Sequence, residues 1–305
     1  MMPNATPRPS ALTAWRMAAR PATLPAALAP VLVGLGLAAR EGVFRPVPAL
    51  GCAAVALLLQ VAANLANDLF DFRAGADTTD RLGPPRAAAM GLLSERELAV
   101  AIGLVLVAAG AVGLGLVAIG GPILLVLGAL AIVSAVAYTG GPWPYGYHGL
   151  GEVFVFAFFG FVAVAGTTYL QTGTWEPLAF VAALPVGAIV SAILVLNNMR
   201  DIATDRAASK RTLATWLGVR GSQIEYLALV ALAYATPLAI LAAGAGGLAV
   251  LLPLATLPLL RPLVRTLLVG VDPRRLNPAL RGTARLSLVF AILFAAGLAI
   301  GGRPG

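Results

Sequence analysis

Long apolar stretches without a charged residue limit the folds open to this chain more than any other feature of its sequence. The segment Leu98–Ile119 holds no Asp, Glu, Lys or Arg, and about 20 apolar residues suffice for one helical crossing of a bilayer. Of the 305 residues, 59% are hydrophobic and 11% are charged, whereas roughly a quarter of a soluble domain is charged. The runs are continuously apolar rather than alternating, which disfavours strands. The sequence therefore predicts an all-α integral membrane protein.

The apolar runs predict nine transmembrane helices bundled around a central cavity in a single domain, 1–305. Residues 1–20 are expected to form a cytoplasmic N-terminal segment without a cleaved signal sequence. In the eighth span, Pro253 and Pro258 are expected to cause a kink. The nine predicted spans are Ala22–Ala38, Val47–Leu65, Leu98–Ile119, Pro122–Tyr138, Val153–Tyr169, Leu178–Leu196, Tyr226–Ala243, Leu248–Val264 and Leu286–Ile300.

Basic residues are distributed very unevenly between the two predicted faces of the membrane. If the N-terminus is cytoplasmic, 18 of the 21 Lys and Arg residues fall on the cytoplasmic side, and only Arg40, Arg45 and Arg303 fall outside. This asymmetry is the positive-inside pattern. It accounts for the net charge of +8 without a nucleic-acid partner, and it predicts a multi-pass protein of the bacterial inner membrane.

The chain has one cysteine, Cys52, and one histidine, His148. This excludes a disulfide framework, a Cys/His metal cage and haem held by two histidines. A Ser-His-Asp triad would require His148, and no G-x-S-x-G motif accompanies it.

Acidic residues concentrate in two short segments that follow the second and sixth predicted spans. The first segment contains Asp68, Asp71, Asp77 and Asp80, the second contains Asp201 and Asp205, and together they hold six of the 13 acidic residues. Four spans separate the segments, so both face the same compartment. Carboxylates gathered in this way suit a hard divalent cation such as Mg²⁺. The alternative is that they are ordinary acidic loops between spans.

Polar and basic residues beside these carboxylates indicate an anionic substrate. Asn64 extends the first acidic face into the membrane, and Asn67 and Asn197 precede the acidic residues by four positions. Arg86 follows the first segment, while Arg206 and Lys210 adjoin the second. Mg²⁺ together with fixed cations suits the departure of a diphosphate. A diphosphate beside an apolar bundle implies a long apolar tail, and the chemistry that this permits is transfer of an allylic group to an aromatic nucleophile.

Three blocks of the sequence resemble the UbiA superfamily of membrane-embedded prenyltransferases. They are NDLFDFRAGADTTDRLGPPRAAAMGLLS (67–94), YTGGPWPYGYHGLGEVFVFAFFG (138–160) and NNMRDIATDRAASKRTLATWLG (197–218). Within the superfamily the chain is most similar to the branch that prenylates 1,4-dihydroxy-2-naphthoate in menaquinone biosynthesis. One position departs from the general N-D-x-x-D-x-x-x-D pattern, because Gly75 replaces its last Asp, and Asp77 is taken as the substitute.

The resemblance implies a role for each matching residue. Asp68, Asp71 and Asp77 would hold one Mg²⁺, and Asp201 and Asp205 a second. Other residues would bind the polyprenyl diphosphate or the naphthoate. They are Asn64, Asn67, Asn197, Arg86, Arg206, Lys210, Arg20, Tyr138, Tyr147 and His148. The residue that takes the phenolic proton stays open among Asp77, Asp80 and His148.

Three other functions compete with this interpretation. An ion-coupled transporter would also place carboxylates near spans, but it would place them at the midplane rather than at one face. A phosphatidyltransferase of the CDP-alcohol type would require a D-G-x-x-A-R run, which is absent. A prenyltransferase with another aromatic acceptor, such as 4-hydroxybenzoate, is compatible with the same motifs.

Overall fold

The computed structural model describes residues 9–76, 82–269 and 272–302, and within these ranges the chain consists of helices and loops without a β-strand. The α-helices are α1 (Ala11–Ala19), α2 (Leu24–Arg40), α3 (Pro46–Arg73), α4 (Glu95–Gly120), α5 (Ile123–Ala137), α6 (Gly151–Val155), α7 (Ala163–Thr172), α8 (Pro177–Arg200), α9 (Ile202–Ala207), α10 (Leu213–Ala242), α11 (Leu257–Leu268) and α12 (Leu276–Ile300). A π-helical segment, Phe156–Val162, joins α6 to α7, and a 3₁₀ segment, Leu248–Thr256, precedes α11.

Eight helical segments of the described chain are long and apolar enough to cross a membrane. A ninth, α5, has 15 residues, which is about 22 Å of helix against about 30 Å of hydrocarbon. The all-α membrane fold is therefore confirmed, and the count of nine is reached only when this shorter helix is included.

Several predicted helix boundaries differ from those in the structure. The first span extends back to Ala11, because α1 and α2 are separated only by a break at Arg20, whose backbone is left-handed (φ 49°). The N-terminal segment predicted as 1–20 therefore contains a helix. Helix α10 begins at Leu213 rather than Tyr226, with a break at Gly218 (φ 66°). The expected irregularity at Pro253 appears as the 3₁₀ segment, because proline lacks the N–H that a regular helix needs.

Local sequence signals set several helix ends. Ser94 and Glu97 form a reciprocal capping box at the start of α4, which satisfies two backbone N–H groups that would otherwise lack partners. Pro46 and Pro177 are the first residues of α3 and α8, where the missing N–H costs nothing. Gly173 ends α7 in a left-handed conformation (φ 80°), as glycine allows.

The helices differ strongly in how much of their surface is buried. Helix α12 packs against α2, and α8 packs against α10, around a core that includes the fully buried Tyr226, Phe290 and Phe294. By contrast, no residue of α5 is buried. An apolar helix with an exposed apolar surface is what a lipid-facing position requires.

The segments that follow α3 and α8 meet at one end of the bundle. Asn277, at the start of α12, donates a hydrogen bond from Nδ2 to the carbonyl of Leu82 (2.8 Å). Its Oδ1 accepts one from Nη1 of Arg200, the last residue of α8 (2.8 Å). The two acidic regions of the sequence are therefore brought to the same end, as their separation by four spans predicts.

Candidate active site

Four of the predicted carboxylates are buried at this end of the bundle. Asp68 and Asp71 lie near the C-terminal end of α3, Asp201 follows α8 directly, and Asp205 lies on α9. None of the four is more than 8% exposed. Because burying an ionised carboxylate costs several kcal/mol unless it is paired, their partners determine what the site can do.

Asp71 contacts three polar side chains from distant parts of the chain. Its Oδ2 accepts a hydrogen bond from Nη2 of Arg86 (2.8 Å), and its Oδ1 accepts one from the hydroxyl of Tyr147 (2.8 Å). Nζ of Lys210 lies 3.6 Å from Oδ1 and 4.9 Å from the centre of the Tyr147 ring. The structure thus gathers two predicted diphosphate-binding cations and one predicted substrate tyrosine around a single carboxylate.

Asp68 holds the loop that carries Arg86. Its carboxylate oxygens accept hydrogen bonds from the backbone N–H groups of Ala87 (3.2 Å) and Ala88 (3.3 Å). These bonds fix the loop against the end of α3 and set the position of the neighbouring Arg86. Asp68 therefore has a structural contribution besides its predicted role as a metal ligand.

In the second acidic segment, Asp201 pairs with the residue that precedes it. Arg200 donates to Asp201 from Nε (2.8 Å) and from Nη2 (2.5 Å), and this two-point geometry is the stronger form of an arginine–carboxylate pair. Nη2 of Arg200 also donates to Oδ1 of Asn197 (2.8 Å). Asn197 therefore contacts Arg200 in this structure, and its role in substrate binding stays a prediction. The carbonyl of Asp205 accepts a hydrogen bond from the backbone N–H of Lys210 (2.8 Å), which positions that lysine.

The connector between α5 and α6 lies against both acidic regions. The backbone N–H of Arg211 donates to the carbonyl of Tyr147 (3.1 Å), so the connector is held beside the second segment while the Tyr147 hydroxyl reaches the first. The ring of Tyr138 packs closely against two glycines. A Cβ placed on Gly146 would lie 3.0 Å from Cε2 of Tyr138, and one on Gly151 would lie 3.2 Å from the same atom. Any other residue at these two positions would displace the tyrosine.

Other predicted site residues contact neighbouring backbone or side chains. Nδ2 of Asn64 donates to the carbonyl of Ala19 (2.9 Å) and to Oγ1 of Thr23 (2.9 Å), which fixes the break between α1 and α2. Oδ1 of Asn67 accepts from Oγ1 of Thr139 (2.9 Å). These two amides hold the chain segments that surround the carboxylates.

Two predicted residues lie away from the Asp71 cluster, and one lies outside the described residues. Arg206 is exposed, and its Nη2 donates to the carbonyl of Thr215 (2.9 Å). Nδ1 of His148 lies 3.0 Å from the carbonyl of Pro144, and its ring stacks on Trp143. Asp77 belongs to 77–81, outside the described residues, so its role stays a prediction. For Arg20 the structure gives the backbone break described above, and its substrate role also stays a prediction.

The donor set fits a hard divalent cation by its chemistry. Asp68, Asp71, Asp201 and Asp205 offer only carboxylate oxygens, the ligands that Mg²⁺ prefers. Among the described residues no three acidic, histidine or cysteine side chains are grouped closely enough to hold an ion as they stand. In this structure Asp71 pairs with Arg86 and Lys210, Asp201 pairs with Arg200, and Asp68 accepts hydrogen bonds from two backbone N–H groups.

Three residues that the structure places at this site are not among the predicted site residues. They are Arg200, Asn277 and Glu152. From the sequence Arg200 is expected only as a cytoplasmic charge, and Asn277 lies far along the chain from Leu82 and Arg200, which it connects. Glu152 is 6% exposed and follows Gly151, the first residue of α6. The predicted span begins one residue later, at Val153, whereas in the structure the spanning segment begins at Gly151 and includes Glu152. An ionisable residue inside a spanning segment is by default a candidate for function.

Two cavities in the described part of the chain lie away from the carboxylates. One, of about 400 Å³, is at the opposite end of the bundle beside Arg40 and Glu176. The other, of about 390 Å³, lies between α11 and α12 beside Thr266 and Arg275. Neither is lined by any of the four buried aspartates, so the buried charges rather than cavity size identify the candidate site.

Comparison with known proteins gives a consistent result. The sequence profile of the UbiA prenyltransferase family matches residues 27–289. The chain is 38% identical to the 1,4-dihydroxy-2-naphthoate octaprenyltransferase of Haemophilus influenzae, over 95% of this chain and 97% of that protein. It is 37% identical to the enzyme of the same name from Escherichia coli, over 93% and 94% of the two chains. The fold also resembles that of a UbiA homologue from Archaeoglobus fulgidus bound to GPP and Mg²⁺, with a TM-score of 0.65, 16% identity, and coverage of 93% and 99%.

Proposed function

Because this chain belongs to the UbiA prenyltransferase family, we propose that it transfers a polyprenyl group from a polyprenyl diphosphate to 1,4-dihydroxy-2-naphthoate. Diphosphate and carbon dioxide leave, and the product is a demethylmenaquinol. The support is the extent of the match: relatives named for this reaction are 37–38% identical over more than nine-tenths of the chain.

The observation that carries the proposal is the buried cluster at the end of α3 and α8. Arg86 and Lys210 share the Asp71 carboxylate at 2.8 Å and 3.6 Å, and all three side chains are at most 10% exposed. Cations fixed in this way need no reorganisation when negative charge develops on a leaving group. An apolar helical bundle next to the cluster provides the environment that a polyprenyl tail requires.

The residues of the cluster have distinct proposed roles. Arg86 and Lys210 bind the diphosphate oxygens, and Arg206 is proposed to contribute a further positive charge. Asp68, Asp71, Asp77, Asp201 and Asp205 would hold Mg²⁺, which when bound neutralises charge on the leaving diphosphate. Tyr147 fixes the orientation of Asp71, and Arg200 fixes that of Asp201.

The chemistry follows from this arrangement of charges. The bond between the allylic carbon and the diphosphate oxygen breaks, and its electron pair leaves with the diphosphate. The electron-rich ring forms a new carbon–carbon bond at the carbon that bears the carboxylate. That carboxylate then leaves as carbon dioxide, and its bonding electrons restore the aromatic ring.

The direction in which the site faces is also part of the proposal. The chain is a multi-pass membrane protein of a family with bacterial members. We propose that it lies in the bacterial inner membrane with the cluster facing the cytoplasm, because 18 of its 21 basic residues lie on that side of the predicted topology. One domain, 1–305, carries the whole reaction.

The test uses naphthoate labelled with ¹⁴C in the carboxyl carbon. Purified protein in detergent micelles, with Mg²⁺ and a polyprenyl diphosphate, is expected to release one labelled carbon dioxide for each prenylated product. Prenylation that retains the label would contradict attack at the carboxylate-bearing carbon. Turnover with 4-hydroxybenzoate and none with the naphthoate would contradict the proposed acceptor.

A further inference from the structure

Glu152 is a buried carboxyl close to the candidate site, and one of its oxygens has no hydrogen-bond partner in the described chain. Its Oε1 accepts a hydrogen bond from Nδ2 of Asn198 (2.7 Å). Its Oε2 is buried and has no partner among the described residues. A buried acceptor left unsatisfied costs about 1–3 kcal/mol, and more when it is charged. The stability of the fold does not explain why a glutamate occupies this position, because an apolar residue would avoid the cost of the unsatisfied oxygen.

The hydrogen bond to Asn198 places Glu152 just inside the bundle from the second acidic segment. Asn198 lies three residues before Asp201, and three residues of helix rise about 4.5 Å. On the other side, Glu152 follows Tyr147 by five residues, a separation of at most about 17 Å for extended chain. The Glu152 carboxyl therefore lies about one helical turn before Asp201 along α8.

A second buried carboxyl lies on a neighbouring helix. Glu152 is on α6, which packs against α8, and α8 packs against α10, where Oε2 of Glu225 is also buried without a partner in the described chain. The hydroxyl of Ser222, one helical turn before Glu225, is in the same condition. Within the described ranges neither glutamate forms an ion pair. A site with free acceptor oxygens and no positive charge suits a neutral hydroxyl donor and repels a diphosphate.

The start of the same span is irregular in a way that is common at functional sites. Only five residues of α-helix, Gly151–Val155, precede the π-helical segment Phe156–Val162. π-Helical turns inside α-helices are often found at functional sites. Tyr138 packs against Gly151, so its phenol lies beside the backbone that carries Glu152.

We infer that Glu152 binds the acceptor hydroxyl next to the reacting ring carbon and takes its proton during prenyl transfer. This inference rests on the proposed function and adds a catalytic residue to it. The acceptor hydroxyl donates to Oε2, while the carboxylate-bearing carbon of the ring faces the diphosphate end of the site. His148 is a weaker candidate for the base, because its Nδ1 lies within hydrogen-bonding distance of the Pro144 carbonyl.

The proton and electrons balance over the whole reaction. As the new carbon–carbon bond forms, the O–H bond of the acceptor breaks, its proton moves to Oε2 of Glu152, and its electron pair forms a ring carbonyl. When the carboxylate leaves as carbon dioxide, its bonding pair returns the ring to the aromatic form. The carbonyl oxygen then takes the proton back from Glu152. The carboxylate is restored, and no other proton donor is consumed.

The experiment compares Glu152→Gln with two other variants. Glu152→Asp keeps the carboxylate, and Glu176→Gln makes the same chemical change at the opposite end of the bundle. For Glu152→Gln we expect transfer to the naphthoate to fall about 100-fold or more, as for loss of a general base. We expect partial recovery in Glu152→Asp and wild-type turnover in Glu176→Gln. Cleavage of the diphosphate bond is measured separately, as the rate at which ¹⁸O scrambles from the bridging position of the prenyl diphosphate while a non-nucleophilic acceptor analogue is present. In Glu152→Gln this rate is expected to stay within about threefold of wild type, because Glu152 does not act on the diphosphate.

A second acceptor distinguishes proton transfer from a structural effect. A fluorinated 1,4-dihydroxy-2-naphthoate has more acidic hydroxyls and needs less help to lose a proton. The loss caused by Glu152→Gln should therefore shrink at least tenfold with this acceptor. Three results would overturn the inference. They are a fall of less than about tenfold in the turnover of the unsubstituted naphthoate by Glu152→Gln, a fall that does not shrink with the fluorinated acceptor, and a loss of ¹⁸O scrambling. If wild-type protein scrambles ¹⁸O but prenylates no naphthoate, the proposed function fails, and the inference fails with it.

Discussion

Replacing Asp71 with asparagine should separate the stability of the cluster from its activity. The substitution keeps the shape of the side chain and removes the charge that Arg86 and Lys210 share. The facing side chains of Asp71 and Arg86 are only 3% and 5% exposed. Breaking a pair buried to this degree by removing one partner costs about 3–5 kcal/mol. Lys210 keeps the Tyr147 ring at 4.9 Å, which offsets part of the cost, so we expect a loss of about 3 kcal/mol.

The double variant Asp71→Asn/Arg86→Gln provides the internal control. Asp71→Asn leaves two cations, Arg86 and Lys210, without the Asp71 carboxylate. The double variant also removes the charge of Arg86, so about half of the lost stability should return. Activity should not return, because the double variant lacks both a proposed metal ligand and a proposed diphosphate ligand. Both variants should be at least about 100-fold less active than wild type.

The assay pairs denaturant unfolding in mixed micelles with turnover of the labelled naphthoate. The free energy of unfolding and the turnover rate are measured on the same preparations of the three proteins. The free energy of unfolding of Asp71→Asn should differ from that of wild type by more than about 1 kcal/mol, or about fivefold in the equilibrium constant. A smaller difference would show that Asp71 does not form the buried ion pairs described above. If the double variant regains activity along with stability, Asp71 acts only in folding.

Three further predictions follow from other contacts. Chelation by EDTA should abolish turnover and added Mg²⁺ should restore it, since the proposed metal ligands are all carboxylates. Full turnover in the presence of EDTA would rule out a role for the metal. Asn277→Ala should lower turnover about tenfold and raise the Mg²⁺ concentration needed for half-maximal rate, because it removes a hydrogen bond from the Arg200 guanidinium that holds Asp201 (about 1.5–3 kcal/mol for a hydrogen bond to a charged group). An unchanged Mg²⁺ dependence would show that this link is dispensable. His148→Gln should retain at least about a third of wild-type turnover, because the ring contacts Pro144 and Trp143 rather than a carboxylate. A fall in turnover of about 100-fold would make His148 a candidate base again.

Much of the fold and part of the site were predictable from sequence. Uncharged runs long enough to cross a bilayer leave little choice but helices, because lipid offers no partner for backbone N–H and C=O groups. The spacing of Asp68, Asp71, Asp201 and Asp205 at the ends of two such runs predicted one shared face, and the structure buries all four at one end of the bundle. Helix ends were predicted less well. Helix α10 begins at Leu213 and has a kink at Gly218, whose positive φ (66°) gives a non-helical backbone that glycine readily adopts.

The sequence by itself determined the all-helical membrane fold and the carboxylate-rich end, because composition and span length act locally along the chain. The tertiary structure decided which charges meet. Asp71 pairs with Arg86, Tyr147 and Lys210, and Arg200 reaches Asn277, although most of these residues lie far apart in the chain. It also decided that Glu152 is buried with one free oxygen beside Asn198. Pairing and burial depend on which helices pack together, and residues that are far apart in the chain contribute to both, so no local pattern encodes them.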